Sequence, residues 1–144
     1  MRPPGLAASW PMALFGPLLP QQRISGRSDA EAFFAPLAGE RQESAAFVYL
    51  DAEQRVLGMR HTRSDEDDRL DLPIRAIAAD ALALDAQAVV MAHNHPSGDP
   101  TPSTADREAT HRLARALDGI GIRLVDHLVI TRAGVTSFRA LGLL

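Results

Sequence analysis

Cysteine and lysine are both missing from this 144-residue chain. Without cysteine there is no disulfide framework, no thiolate metal site and no thiol nucleophile, so any metal must be held by His, Asp or Glu. All 15 basic residues are arginine, which, with the abundant alanine, we read as composition bias. Basic charge is itself in short supply: the net charge is −3 and the pI near 5.9. A nucleic-acid partner calls for a basic patch or stripe, and this balance offers none. No run approaches the ~20 apolar residues of a membrane span. The apolar fraction of 46% suffices for one core in a chain of single-domain length.

Residues 1–23 are apolar but broken by prolines. We read them as a loose arm packing on the domain or on a partner. A signal peptide is disfavoured because no small-x-small cleavage site precedes a polar region, and the expected location is cytoplasmic. Ser28-Asp-Ala-Glu31 has the form of a capping box, so a helix is expected from about Asp29 to Ala38. Ala45–Asp51 and Arg55–Thr62 read as two strands joined by a turn at Ala52-Glu-Gln. Arg63–Asp71 (RSDEDDRLD) reads as a polar loop, solvated or forming an acidic lip near a site. Pro73 suits the first turn of a helix running to about Asp85, with Ile74, Ile77, Ala78, Ala81, Leu82 and Leu84 as its apolar face. Ala88–His93 reads as a buried strand. A long helix follows from Thr104 to Asp118, with Leu113, Ala116, Leu117 and Ile120 at helical spacing and glycines beyond it. Leu124–Thr131 and Val135–Phe138 complete the order as two further strands. This succession predicts a mixed β-sheet with helices packed on it, an α/β (α+β) architecture without repeats or a second core.

One stretch, AHNHPSGDPTPSTAD (Ala92–Asp106), carries the chemistry. Residues two apart on a strand face the same way, so His93 and His95 can meet one ion if the strand persists. Pro96 then ends the ladder, having no N–H to donate. The prolines stiffen the spacer, and ligands need a stiff support. Ser103 falls at the N-cap of the next helix and Asp106 at its N3 position. The spacing is therefore H-x-H-x10-D. Two imidazoles and one carboxylate form a three-ligand set for Zn²⁺ that leaves an open position for water, the pattern of catalytic zinc. The bland alternative is an ordinary cap, since Ser followed by Asp at N3 favours any helix start. A zinc deaminase is excluded, because its signature needs cysteines.

The longer string HNHPSGDPTPSTAD resembles the JAMM metalloprotease motif, H-x-H followed after seven residues by S-x-x-D. It is similar to the RadC-like branch of the JAB/MPN superfamily. Pro73-Ile-Arg75, Leu-Val-Asp126-His127 and Ser137-Phe138 followed by Gly142 extend the likeness over about residues 24–144. The resemblance implies a JAB/MPN-like, cytidine-deaminase-like mixed sheet flanked by helices. It also implies one Zn²⁺ per chain held by His93, His95 and Asp106. Glu43, two residues before the first strand, is implied as the general base, with Glu40 and Glu53 as weaker rivals. Ser103 would hydrogen-bond the oxyanion if it does not merely cap its helix. The implied activity is hydrolysis of a peptide, isopeptide or related amide bond.

Further expectations concern the surroundings. Asp126 and His127 sit in an apolar strand and need partners. Alternation places them on opposite faces, so at most one supports the ligands. Asn94 and Arg75 are further candidates for supporting the site or touching substrate, and Arg75 could instead pair with the acidic loop. His61 and His111 are expected at the surface. The expected partner is a peptide or protein substrate, with neither nucleic acid nor membrane. Proteins of the RadC-like branch carry a DNA-repair label and commonly an N-terminal helical region, for which residues 1–23 are too short. A DNA-repair accessory role and a metal-binding scaffold without turnover are the alternatives.

Overall fold

The computed structural model describes residues 10–64 and 72–144. Five strands form one sheet in the order β2-β1-β3-β4-β5. They are β1 (Ser44–Leu50), β2 (Val56–Arg63), β3 (Ala88–Asn94), β4 (Arg123–Ile130) and β5 (Val135–Ser137). β1 is antiparallel to both β2 and β3, β3 is parallel to β4, and β5 returns antiparallel to β4. The mixed α/β architecture expected from the sequence is the one observed. The helices are α1 (Met12–Phe15), α2 (Arg27–Phe34), α3 (Ile74–Ala83) and α4 (Thr104–Asp118), with a 3₁₀ turn at Ala35–Gly39. Among the described residues no helix is long and apolar enough to cross a membrane.

Strand alternation divides the interior into two layers. Ala45, Phe47, Tyr49, Val89 and Met91 face α3 and α4, meeting Ile77, Ala81, Leu113 and Leu117. Ala46, Val48, Val90, Ala92, Leu128 and Ile130 face the other way, onto Ala30, Phe34 and Leu37. All seven residues of β1 are buried, as befits a strand covered on both faces. Trp10, Leu14 and Phe15 of the N-terminal arm pack on the second layer. Phe15 stacks on Phe33 with ring centroids 5.8 Å apart.

Several local expectations need correction. α2 begins at Arg27 with no side chain capping it, and its first turn is tied to the entering chain by Asp29 rather than Glu31: the Ser25 N–H and hydroxyl both donate to Asp29 Oδ2. Its α-helical part ends at Phe34 and tightens into the 3₁₀ turn because Pro36 has no N–H for an α-helical bond. The inner face of α3 presents Asp80, while Leu82 is 60% exposed. Ile120 is likewise 39% exposed. The expected acidic lip at 63–71 lies, from residue 65 onward, outside the described residues.

A bulge shapes β4. Val89 pairs with Leu124 but Val90 pairs with Asp126, so Val125 is an extra residue in the ladder. Leu124 belongs to the α4-facing layer and Val125 packs against the opposite one. The extra residue resets the alternation, so that His127 rather than Asp126 turns toward α4.

Asp80 ties α3 to the sheet. It accepts from the Tyr49 hydroxyl at 2.7 Å and from Arg60 Nη2 at 2.9 Å. Burial, with Asp80 alongside, pushes the Tyr49 phenol far above its ordinary pKa, so the hydroxyl stays protonated and donates. Asp80→Ala should therefore destabilise the fold by about 3 kcal/mol, and Tyr49→Phe by about 1 kcal/mol. Urea unfolding checks both, and an Asp80→Ala loss no larger than that of Tyr49→Phe would show that the pair carries no such weight.

Candidate metal centre

The centre assembles where β3 ends and α4 begins. β3 places His93 on the α4 side of the sheet, fully buried. Its regular span stops at Asn94, yet the His95 N–H still donates to the Ile130 carbonyl at 3.2 Å. That bond extends the ladder on the β4 side by one residue and keeps His95 on the face of His93. The two Nε2 atoms lie 2.9 Å apart. The proline-stiffened loop then turns at Gly98, whose φ of 90° suits glycine. The loop delivers Ser103 as N-cap of α4. Ser103 and Asp106 form a reciprocal capping box: the Asp106 N–H donates to Ser103 Oγ and the Ser103 N–H donates to Asp106 Oδ2, each at 2.9 Å. The same Oδ2 lies 3.1 Å from His95 Nε2 and 3.4 Å from His93 Nε2. Glu43 enters from the residue before β1, with Oε1 3.9 Å from His93 Nε2. One ligand atom from each of Glu43, His93, His95 and Asp106 fits within 4.8 Å of all the others.

Hydrogen bonds decide which ring nitrogens carry protons. The Thr110 hydroxyl donates its single proton to the Asp106 carbonyl at 2.6 Å. Toward His127 Nδ1, 2.7 Å away, Thr110 Oγ1 can therefore only accept. His127 thus carries its proton on Nδ1 and accepts at Nε2, where His93 Nδ1 approaches at 2.6 Å. His93 donates there, and its Nε2 lone pair is left aimed at the centre. His95 Nδ1 donates to the Asp99 carbonyl at 2.7 Å, which also turns the His95 Nε2 lone pair inward. Phe138 stacks on His127 with centroids 4.3 Å apart and an interplanar angle of 15°.

The electrostatics of His127 agree with this assignment. Burial, then the adjacent His93, lowers the His127 pKa well below that of a free imidazole, so it is neutral as the relay requires. Burial acts to raise Asp106, but the His93 and His95 rings beside it outweigh burial and hold the carboxyl far below its usual range. When His95 takes up a second proton, at Nε2, Asp106 accepts a hydrogen bond from it, and this raises the His95 pKa. Two lone pairs converging at 2.9 Å beside a carboxylate repel each other unless a positive charge lies between them. The set therefore fits a cation: two imidazole nitrogens and a carboxylate oxygen, with Glu43 opposite.

Glu43, His93, His95, Ser103 and Asp106 are thus brought together. Asn94 points to the other face and holds the segment before β1 (Ser44 N–H to its Oδ1, 2.7 Å). Of the strand pair, only His127 reaches the centre. Asp126 is consumed on the far side by the Ser137 hydroxyl at 2.6 Å and the Arg139 N–H at 3.1 Å. Arg75 is exposed on the first turn of α3. Of the rival bases, Glu40 pairs with Arg63 at 2.8 Å and Glu53 with Arg55 at 3.2 Å. His111 is exposed as expected, but the His61 side chain is only 9% exposed, because β2 lays it beside Glu40 and the edge of Phe15. Thr110 was missed in the sequence. Its place one turn after Asp106, on the inner face of α4, was the available signal.

Comparison with known proteins agrees with the architecture. A UPF0758 protein of Vibrio cholerae serotype O1 is 37% identical over 125 residues, covering 83% of this chain and 79% of that protein. A UPF0758 protein of Symbiobacterium thermophilum is 56% identical over 70 residues, which is 49% of this chain but only 30% of that longer relative. The RadC-like JAB domain matches residues 24–143. That match takes in Glu43, both ligand-type histidines, the capping box and the His127 relay, and on it the chain belongs to the RadC-like JAB domain family.

Proposed function

We propose that this chain is a zinc-dependent hydrolase of the JAMM type that cleaves a peptide, isopeptide or related amide bond. The observation that carries the reading is the convergence of two tautomer-fixed imidazole nitrogens and the Asp106 carboxylate, with a second carboxylate, Glu43, facing them. His93, His95 and Asp106 would hold Zn²⁺. When bound, such an ion supplies Lewis-acid polarisation of a carbonyl and acidifies water enough for attack near neutral pH. Glu43 takes the proton of the attacking water and returns it to the leaving amine. Ser103 Oγ accepts the Asp106 N–H, which leaves its own O–H to donate to the developing oxyanion. Capping and catalysis thus use different lone pairs and protons of one hydroxyl. The substrate is a peptide or protein; a net charge of −3 gives a DNA-binding role no support.

Metal content by mass spectrometry, alongside cleavage of a peptide library, tests the assignment. Glu43→Gln should bind Zn²⁺ like the wild type and lose about 10²–10⁴ in rate. Wild-type protein that takes up no Zn²⁺ would sink the reading. Thr110→Val removes the acceptor for the His127 Nδ1 proton. It should weaken metal binding by about 10–100-fold, as measured by chelator competition. An unchanged affinity would separate the relay from the metal.

Affinity should also depend on pH with a defined sign. Asp106 raises the His95 pKa in the metal-free protein, so protons compete with metal up to a higher pH than at a free imidazole. Affinity should rise with pH over about pH 5–8 and then flatten. Competition titrations across that range check it; a flat or falling profile would contradict the assignment of His95 as a ligand.

A further inference from the structure

The centre is built from two pieces of chain. His93, His95 and Asp106 lie within fourteen residues of sequence, on one strand end and the helix that follows. Glu43 comes from before β1, fifty residues ahead of His93. Its approach therefore depends on whatever fixes the segment 40–44 against β3.

Backbone pairing cannot do this. The β1–β3 ladder ends with the pair Ala45 and His93, and the next position along it would set Ser44 opposite Asn94. There the side chain of Asn94 takes over from the missing rung. Asn94 Oδ1 accepts the Ser44 N–H at 2.7 Å, with the Ser44 hydroxyl at 3.4 Å. Its amide donates both protons in the same direction, to the Gln42 carbonyl at 3.0 Å and the Glu40 carbonyl at 3.1 Å. The amide orientation follows from these partners. Donors lie on one side and carbonyls on the other, and a flipped amide would set N–H against N–H. Asn94 is 2% exposed, so these bonds are shielded from water and costly to leave unmade. On the other edge of β1, the Ser64 N–H donates to the Glu43 carbonyl at 2.9 Å. Glu43 is thus held between β2 and the Asn94 clamp.

We infer that Asn94 is a positioning residue that locks the general-base segment to the strand carrying both histidines. The inference rests on the reading of Glu43 as the base. Strand alternation makes it possible: His93 and His95 face the centre, and the residue between them faces away, where it can reach around the end of β1. The tripeptide His-Asn-His carries two ligands and the anchor for the base. No shorter or differently branched side chain makes all three main-chain bonds. Serine and alanine do not span the gap, and aspartate accepts from Ser44 but cannot donate to the two carbonyls.

The test uses the full chain with Asn94→Asp and Asn94→Ser, so that one variant keeps the acceptor and the shape. In the metal-free protein, amide exchange at Ser44 should quicken by about tenfold or more in Asn94→Ser, which removes its acceptor, and less in Asn94→Asp, which keeps it, while amides of β4 keep their protection. In the Co²⁺-loaded protein, paramagnetic relaxation of the Glu43 carboxyl carbon should fall as the base swings away. Relaxation of the His127 ring should not change. Metal affinity should stay within about threefold of wild type, because the ligand set does not involve residues 40–44. On a library peptide that the wild type cleaves, kcat should drop by about tenfold or more with KM little changed, as expected for a misplaced base. Unchanged relaxation at Glu43 in both variants, with unchanged exchange at Ser44 in Asn94→Ser, would overturn the proposal. So would parallel losses at Glu43 and His127, which would mark Asn94 as general scaffolding. If the wild type binds metal but cleaves nothing, the hydrolase reading fails while the clamp is still read by relaxation. If it binds no metal, exchange at Ser44 in Asn94→Ser decides alone.

Discussion

The Thr110 hydroxyl has one proton, and the Asp106 carbonyl takes it. From that bond the protonation of the centre follows without further choice. His127 must donate at Nδ1 and accept at Nε2, and His93 must donate at Nδ1, so one lone pair is left facing His95. The relay is buried throughout: Thr110, His127 and His93 have no exposed surface. Water therefore cannot substitute for a missing partner, and the wrong tautomer of either ring would set two donors or two lone pairs against each other. A buried polar network is costly when half satisfied and rigid when complete. Here it is complete, and its product is a nitrogen of fixed direction.

The same economy governs the acid. Asp106 is at once a helix cap and a buried negative charge. The N-terminus of α4 and the Ser103 N–H favour its ionised form, which helps offset the cost of burial. The inner stripe of α4 changes character along its length, from Asp106 and Thr110 at the sheet's end to Leu113 and Leu117 beneath the core. One helix face therefore builds both the centre and the hydrophobic layer that keeps the helix in place.

Much of this was legible in the sequence, for identifiable reasons. The H-x-H spacing, the stiff spacer and the Ser-x-x-Asp cap are local features, and short-range geometry reports them faithfully: α4 runs over the residues that its pattern predicted. The strands were legible as apolar runs. What escaped depended on contacts remote in sequence. The first turn of α2 is tied through Asp29 and Ser25 because the chain enters from Ile24, whose N–H pairs with the Gln54 carbonyl, a bond between positions thirty residues apart. Leu82 looked like a core position, yet the inner face of α3 spends a place on Asp80, whose partners Tyr49 and Arg60 lie on two other elements. His127 and Asp126 could be told apart only once the partners across the sheet were known.

The segment after β5 shows how far the foundations of the centre extend. Val125, the extra residue of β4, is held by its carbonyl, which accepts from Arg139 Nε at 2.5 Å. Asp126 beside it is held by Ser137 and by the Arg139 main chain. Phe138 both stacks on His127 and donates its N–H to the His127 carbonyl. Three consecutive residues, 137 to 139, thus fill the irregularity that turns His127 toward α4. None of the hydrogen bonds or ring contacts they make reaches His93, His95, Asp106 or Glu43, and by position they would pass for the closing turn of an edge hairpin. They act as a keystone: shortening or fusing the chain near them would disturb the aim of an imidazole before it disturbed the sheet.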